Sequence, residues 1–232
     1  MSQHFETHEW RTGKIADCDQ RFPTDMHGLD GGILEVSDPA GAWYGYVQDG
    51  PVYLLDKGRS YTLQQGDYFS ISRPFTVTGG RAILIRRHGA DVPFMIGNDH
   101  HEGGRLKYID GCTDTLLIAP WKLGQPCLNL LYFPEGIDQT QHTHPSDRLG
   151  VITAGKGRCV TPDATYELEP GMIWRIPAEG LHKFQTDPGH TMTVIAYHPD
   201  SDFGPQDEFH PMLNRTIVDG VSARHLDDIR TK

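Results

Sequence analysis

Long hydrophobic runs are missing from the sequence, and this excludes a large class of proteins. No segment approaches the roughly 18 apolar residues that a membrane-spanning helix requires. The first residues also contain no apolar stretch of signal-peptide length. We therefore expect a soluble, cytoplasmic protein that has no membrane partner.

Basic side chains are scarce. The 232 residues include 21 Lys and Arg against 31 Asp and Glu, which gives a formal net charge of -10 at pH 7. No segment gathers enough positive charge to follow a phosphate backbone. Nucleic acid is therefore not an expected partner.

Cysteine is also rare, and its spacing matches no metal or disulfide framework. Cys18, Cys112, Cys127 and Cys159 lie far apart and form no CxxC pair. Such spacing favours reduced thiols over disulfides and excludes a zinc ribbon.

Helical periodicity is nearly absent. The apolar segments are short, several alternate with a period of two residues, and Gly, Pro, Asp or Asn flank them. This pattern is typical of an all-β chain, for which sandwiches and barrels are the usual architectures. The one good helix candidate is 223–230, which Ser222 could cap.

An internal repeat is visible when the sequence is shifted by 105 residues. Six identical pairs then align without a gap: Gly45 and Gly150, Gly50 and Gly155, Tyr61 and Tyr166, Leu63 and Leu168, Gly66 and Gly171, Ile71 and Ile176. The alternative is a chance overlap of two glycine-rich segments. The repeat predicts two related β units, about 30–90 and 115–200, joined by a polar loop over 97–104.

Histidine, in contrast, is abundant, with 13 residues. On a strand, the side chains of His142 and His144 would point to the same face, where both could bind one metal ion. A turn over 177–180 could return His182 to the same interior. Three imidazoles with open positions left on the metal are typical of a catalytic centre. The alternative is coincidence in a histidine-rich chain.

The spacing of these residues resembles the two consensus motifs of the cupin superfamily. The matching residues are Gly136, His142, His144 and Gly155, followed by Gly171, Pro177 and His182. The resemblance covers about 30–200. It implies a bicupin, that is, two tandem cupin barrels of the double-stranded β-helix or jelly-roll type, with a short C-terminal tail or helix.

The chain departs from the cupin pattern where the motif usually has a glutamate ligand. Arg148 stands at that position and Leu149 follows it. The remaining three histidines resemble the variant found in cupin dioxygenases, which implies iron(II) as the metal. Manganese, nickel, zinc and copper are alternatives at such a site.

Two orientations of Arg148 are open. If the side chain enters the barrel, it needs an anionic partner, and a substrate carboxylate held by two hydrogen bonds would serve. If the strand bulges after Pro145, Arg148 turns outward and pairs with Asp147 or Glu179.

The N-terminal repeat departs from the pattern more strongly. At the offset of 105, the three histidines and Arg148 fall opposite residues that bind no metal, namely Ser37, Pro39, Val77 and Trp43. We therefore expect a degenerate barrel without metal ligands over 1–110 and a metal-binding barrel over 111–200. A tail over 201–232 is expected to pack on a barrel or on a partner subunit.

Several further residues are weaker candidates for the pocket. His198 could line it, although the end of a surface strand is the more usual place for such a residue. Tyr132 and Trp174 could shape it, although core packing is favoured for both. Cys159 could face inward as a buried thiol.

Together these features predict an iron(II)-dependent cupin dioxygenase or oxidase. Its substrates would be dioxygen and a small anionic molecule that carries a carboxylate. The alternatives are a metal-dependent lyase or isomerase and a cupin that binds a small ligand without catalysis. The resemblance also implies a homodimer, because cupins commonly pair through the edge strands of their barrels.

Overall fold

The regular secondary structure of the chain is mostly β-strand. The computed structural model describes residues 4–98 and 103–231, so part of the predicted joining loop, 99–102, lies outside the described residues. In chain order, strands β1 to β20 are Glu6–His8, Gly13–Cys18, Thr24–Asp30, Ile33–Val36, Gly41–Asp56, Arg59–Leu63, Asp67–Ile71, Phe75–His88, Met95–Asn98, Leu106–Lys107, Thr113–Ile118, Cys127–Phe133, Arg148–Gly155, Gly157–Val160, Thr165–Leu168, Ile173–Ile176, Lys183–Gln185, Met192–His198, Ile217–Val218 and Val221–Ser222. The prediction of an all-β chain is confirmed. None of the helices in the described residues has the length and apolar character needed to cross a bilayer.

The strands form open antiparallel sheets, and the two halves of the chain supply different ones. The first half forms an eight-stranded sheet with the order β2-β3-β8-β5-β7-β9, in which β4 also pairs with β8 and β6 with β5. The second half supplies most of a seven-stranded sheet, β1-β16-β13-β18-β12-β11-β10, and a three-stranded sheet, β15-β14-β17.

The sequence repeat corresponds to a repeated strand pairing. Trp43 on β5 lies opposite Ile71 on β7, and Arg148 on β13 lies opposite Ile176 on β16. Arg148 lies 105 residues after Trp43, and Ile176 lies 105 residues after Ile71. The register of these strands is therefore repeated, whereas the tandem-barrel arrangement itself stays a prediction.

The N-terminal strand belongs to the sheet of the second half. On β1, Glu6 pairs with Arg175 and His8 pairs with Ile173 of β16. Just beyond β1, the Trp10 indole Nε1 donates a hydrogen bond of 2.6 Å to the Gly171 carbonyl. The first strand of the chain thereby covers an edge of the seven-stranded sheet that would otherwise leave its backbone groups unpaired.

One apolar core joins the two halves. It contains Met26 and Tyr44 from the first half together with Leu149 and Tyr197 from the second. The rings of Tyr44 and Tyr197 lie 5.2 Å apart between centroids. Because burying such a side chain contributes roughly 1.5–3 kcal/mol, this shared core couples the stability of both sheets.

A glycine of the motif is required where β13 approaches its neighbour. Gly155 has φ of 70°, and a Cβ there would lie 1.9 Å from the Thr191 carbonyl oxygen. Only a residue without a side chain tolerates both this conformation and this contact.

The helix predicted over 223–230 is wrong in extent. The structure has a single 3-10 turn, Ala223–His225, which Ser222 caps as expected by accepting a hydrogen bond from the Arg224 N–H. Only Ala223 of this segment is buried, and a helix without a packed face rarely extends beyond a turn. The tail instead contains a 3-10 turn, Asp207–Phe209, and a short helix α1, Pro211–Arg215.

The apolar side chains of the tail are exposed in the single chain. Phe203, Phe209, Met212 and Ile217 are between 56% and 69% exposed. The packing of the tail on a barrel or on a partner subunit stays a prediction.

Candidate metal centre

His142 and His144 lie on an extended segment between β12 and β13. The regular strand expected through them is absent, because only His142 pairs, in an isolated antiparallel bridge with His182. The alternation holds nonetheless, since Thr143 is exposed while the two histidines are partly buried. The predicted convergence of their side chains therefore does not depend on a regular strand.

A turn returns His182 to this segment. The Gly180 N–H donates to the Pro177 carbonyl at 2.9 Å, which closes the turn after β16. The backbones of His142 and His182 then exchange two hydrogen bonds, of 2.9 and 3.0 Å. The strand before the turn pairs with β13 and not with the histidine segment, which differs from the expected route but leads to the same place.

The three histidines converge as the sequence predicts. One ligand nitrogen from each of His142, His144 and His182 lies within 4.8 Å of the others. The ring centroids are 4.5 to 5.3 Å apart. Because metal–nitrogen bonds are about 2.0–2.1 Å long, at most small rotations would bring all three nitrogens to one ion. Within the described residues this is the one such group of His, Cys, Asp or Glu.

Backbone carbonyls orient two of the imidazoles. Nδ1 of His142 lies 2.8 Å from the Thr140 carbonyl oxygen, and Nδ1 of His182 lies 2.8 Å from that of Gly180. Because a carbonyl only accepts hydrogen bonds, each Nδ1 carries the proton. Each Nε2 is left with a free lone pair, as a metal ligand requires.

Burial keeps two of the imidazoles neutral. It lowers the pKa of His144 to about 2, with further repulsion from the Arg148 guanidinium. It lowers the pKa of His182 to about 4, although the hydrogen bond to the Gly180 carbonyl acts in the opposite direction. Neutral imidazoles bind metals without first losing a proton.

The histidines lie on a cavity with apolar walls. The empty space of the cavity, counted together with the open solvent at its mouth, is about 470 Å³. The lining residues other than the three histidines are Tyr108, Asp114, Leu131, Phe133, Gln139, Arg148, Trp174, Ile176, Phe184, Ala196 and His198.

Arg148 takes the inward of its two possible orientations. It is 9% exposed and lines the cavity beside the histidines. Its Nη1 donates to the Ser146 hydroxyl at 2.7 Å, and its Nε has no hydrogen-bond partner among the described residues. The acids proposed for the outward orientation have other partners, since Asp147 pairs with Arg175 and Glu179 accepts from Thr143.

A hydroxyl group connects the Arg148 guanidinium to an acid. The Ser146 Oγ, which accepts from Arg148, donates in turn to the Asp200 carboxylate. Burial lowers the pKa of Arg148, whereas the charge of Asp200 raises it. No described carboxylate forms a direct ion pair with Arg148. The guanidinium therefore keeps unused hydrogen-bonding capacity toward the cavity.

Asp147 holds the two segments that carry the site. Its carboxylate accepts from the Arg175 Nε at 2.7 Å and from the Ala178 N–H at 2.8 Å. Arg175 belongs to β16 and Ala178 to the following turn. Asp147 directly precedes Arg148. Its carboxylate thus fixes the turn that leads to His182 next to Arg148.

The weaker candidates divide between the cavity and its surroundings. His198 and Trp174 line the cavity, and burial lowers the pKa of His198 far below its usual value. Tyr132 instead borders a separate groove, and Cys159 is buried in the apolar core of the second half.

Three polar lining residues escape the sequence reasoning: Tyr108, Asp114 and Gln139. The sequence offers only a weak signal that these residues line the cavity. Asp114 is a single carboxylate beside the apolar run of β11, and a charged residue in such a place is equally compatible with a solvated strand face.

In the first half, the residues opposite His182 and Arg148 are apolar side chains that bind no metal. Val77 and Trp43 are buried in the apolar core of the N-terminal sheet. The Trp43 ring packs against Phe75 at 5.5 Å between centroids.

Solved structures with a similar fold include a cupin barrel protein and two enzymes. The Cupin 2 conserved barrel domain protein from Leptotrichia buccalis is 14% identical, with a TM-score of 0.58 over 85% of this chain and 90% of that one. Salicylate 1,2-dioxygenase from Pseudoaminobacter salicylatoxidans is 8% identical, with a TM-score of 0.55 over 76% and 68%. Oxalate decarboxylase from Bacillus subtilis, a protein with Mn(II) centres, is 12% identical, with a TM-score of 0.52 over 88% and 79%.

The chain has the cupin fold, and the resemblance to the cupin superfamily is confirmed. The model of the AraC-like ligand binding domain family matches residues 135–217, the part of the chain that contains all three histidines. No curated protein matches the sequence.

Proposed function

We propose that the protein is a non-haem iron(II)-dependent cupin dioxygenase or oxidase that acts on a small substrate bearing a carboxylate. His142, His144 and His182 would hold the metal, and Arg148 would anchor the substrate. The observation that carries this proposal is the pairing, in one cavity, of three imidazoles without a carboxylate ligand and a guanidinium without an ion-pair partner.

The charge balance of the cavity supports an anionic substrate. Three neutral ligands leave the 2+ charge of a metal uncompensated, and Arg148 adds a further positive charge. A substrate carboxylate would offset part of this positive charge and accept hydrogen bonds from the guanidinium. When bound, iron(II) would supply the chemistry that activates dioxygen.

The walls of the cavity support a site that excludes water. Trp174, Ile176, Phe184 and Phe133 are buried apolar side chains that line it. In such surroundings the interaction between Arg148 and a carboxylate is stronger than at an exposed surface. The arginine would therefore orient the substrate as well as attract it.

In this proposal the chain is a bicupin with one metal site. Residues 1–110 would form the barrel without metal ligands, 111–200 the metal-binding barrel, and 201–232 a tail packed on a barrel or on the partner subunit of a homodimer. The repeated register of β5 with β7 and of β13 with β16 supports the division. The exposed apolar residues of the tail support a partner subunit.

A second candidate is a metal-dependent lyase or isomerase. The similarity in fold to oxalate decarboxylase, with its Mn(II) centres, favours it. Here the metal would act as a Lewis acid without consuming oxygen, and manganese, zinc, nickel or copper could replace iron. The match to a ligand binding domain favours a third possibility, binding without catalysis.

Metal analysis and oxygen uptake together test the proposal. The protein is purified without a metal-affinity tag, its metal content is measured, and the iron(II)-reconstituted protein is screened with carboxylates in an oxygen electrode. We expect one iron per chain, no metal in His142→Gln, and full metal content in the control His225→Gln, which changes an exposed histidine of the tail.

Two results would overturn the dioxygenase assignment. Turnover of a carboxylate under nitrogen with manganese, without oxygen uptake when iron is present, would establish the lyase. A chain that binds no metal in any form would establish the binding protein.

A further inference from the structure

A carboxylate of the cavity has an oxygen without a partner. Asp114 on β11 lines the cavity, and its Oδ1 is buried without a hydrogen bond among the described residues. Leaving a buried polar atom unpaired costs roughly 1–3 kcal/mol, and more when the group is charged. Because buried polar atoms are nearly always satisfied, a donor from a bound molecule is a direct explanation.

The other oxygen of Asp114 is held in place. The Asn129 side chain on β12 donates from Nδ2 to Asp114 Oδ2. Burial raises the pKa of Asp114, while this hydrogen bond lowers it. With Oδ2 engaged by the neighbouring strand, Oδ1 is the atom left to serve the cavity.

Asp114 and Arg148 do not neutralise each other. They form no ion pair, and each has its own protein partner, Asn129 for the acid and Ser146 for the guanidinium. Each also retains one unpaired atom, Oδ1 and Nε. The cavity is thus lined by an acceptor and a cationic donor that do not pair with each other.

We infer that Asp114 is a second recognition group, and that the substrate carries a hydroxyl or amino group in addition to its carboxylate. This inference rests on the proposed function, because it takes the cavity as the substrate site. The carboxylate would contact Arg148, and the hydroxyl or amino hydrogen would be donated to Asp114 Oδ1. A carboxylate without such a donor would leave Oδ1 unpaired, and sites of this kind reject analogues that lack the hydrogen-bonding group.

Binding, measured apart from turnover, tests the inference. Hexanoate, 2-hydroxyhexanoate, 3-hydroxyhexanoate and 2-aminohexanoate are titrated under nitrogen into the metal-loaded and the chelator-treated protein by calorimetry. At least one of the substituted acids is expected to bind about tenfold or more tightly than hexanoate in both forms. In the chelator-treated form the substituent cannot contact a metal. A preference that persists there therefore comes from the protein side chains.

The informative variant is Asp114→Asn. The Asn129 Nδ2 would still donate a hydrogen bond to the new side chain. Only the oxygen of the new amide can accept this bond, so the amide would orient with its oxygen toward Asn129. The amide NH₂ would then face the cavity as a donor in place of the acceptor. We expect the preference for the substituted acid over hexanoate to fall to within about threefold. The control Glu169→Gln changes an exposed acid in a turn and should keep the preference.

A second variant, Asn129→Ala, removes the hydrogen bond that holds Asp114 in place. It should reduce the preference in part, and it serves as the test if Asp114→Asn does not fold.

The outcomes separate the inference from the proposed function. If the protein holds iron and binds hexanoate in an Arg148-dependent way, but shows no preference or keeps it in Asp114→Asn, the inference is wrong and the proposed function stands. If no acid in the series binds, the inference is wrong as well. Absence of both metal and carboxylate binding would overturn the proposed function and the inference with it.

Discussion

Asp19 and Asp147 exchange hydrogen bonds between the two halves of the chain. The Asp19 backbone N–H donates to the Asp147 carboxylate at 3.0 Å, and the Asp147 N–H donates to the Asp19 carboxylate at the same distance. Asp19 also accepts from the N–H groups of Arg21 and Phe22. Since Asp147 lies between the histidine segment and Arg148, the N-terminal half helps to position the site without contributing a metal ligand.

Removing the charge of Asp147 should destabilise this connection. In Asp147→Asn, Arg175 loses one of its two ion-pair partners and keeps Glu6, and a donor NH₂ replaces one of two accepting oxygens. Because both Asp147 and the hydrogen bonds to it are largely buried, we expect a loss of about 2 kcal/mol in the free energy of unfolding. Urea unfolding measures the loss, and Asp138→Asn, at an exposed ion pair with Lys183, should leave the midpoint unchanged. Equal midpoints for the two variants would contradict the prediction.

Ser146 should matter because it links Arg148 to Asp200. In Ser146→Ala the guanidinium loses its hydrogen bond of 2.7 Å and its connection to a carboxylate. A hydrogen bond to a charged group contributes roughly 1.5–3 kcal/mol, so we expect a loss of stability of about 2 kcal/mol in thermal or urea unfolding. The matched control is Ser60→Ala on the exposed face of β6. A stability equal to that of the control would show that the hydroxyl group does not compensate the buried charge.

Metal binding at pH 6 should release few protons. The pKa of His144 is lowered to about 2 and that of His182 to about 4, so both are neutral in the folded protein at pH 6. With ordinary pKa values near 6.5, each would be mostly charged at that pH and would lose its proton on binding. Calorimetry of metal binding in buffers of different ionisation enthalpy counts the protons, and we expect His144 and His182 to contribute none. A release of two or more would mean that these histidines are protonated in the metal-free protein.

Two glycines of the second half, Gly155 and Gly189, should respond differently to alanine. Gly155→Ala would strain a φ of 70° and bring Cβ against the Thr191 carbonyl, so we expect a loss of about 3 kcal/mol. Gly189 has a similar φ of 77° but no atom within 4 Å of its Cβ position, so Gly189→Ala should cost about 1 kcal/mol. Thermal unfolding compares the two variants. A loss in Gly189→Ala as large as that in Gly155→Ala would mean that backbone conformation, and not the contact, decides.

Local spacing predicts the metal cluster because short-range geometry decides it. The two-residue separation of His142 and His144 places both on one side of an extended segment, and a tight turn accounts for His182. The register of the repeat also follows from spacing alone, since Gly150 and Gly45 occupy the same position in their strand pairs.

Long-range contacts decide what the sequence leaves open. The orientation of Arg148 depends on Ser146 together with Asp200, which lies far along the chain. The role of Asp114 becomes visible only when Asn129 of the next strand is seen to engage one of its oxygens. The helix expected after Ser222 fails for a related reason, because no sheet covers the segment and its local capping signal supports only one turn.

The pairing of β1 with β16 ties the candidate metal centre to a distant segment of the chain. Glu6 and Arg175, which face each other across these strands, are 169 residues apart. The same pairing brings the His4 imidazole against the Leu181 N–H, beside the third metal-binding candidate. A change that displaces β1 would therefore act on the turn that carries His182, although β1 supplies none of the three candidate ligands.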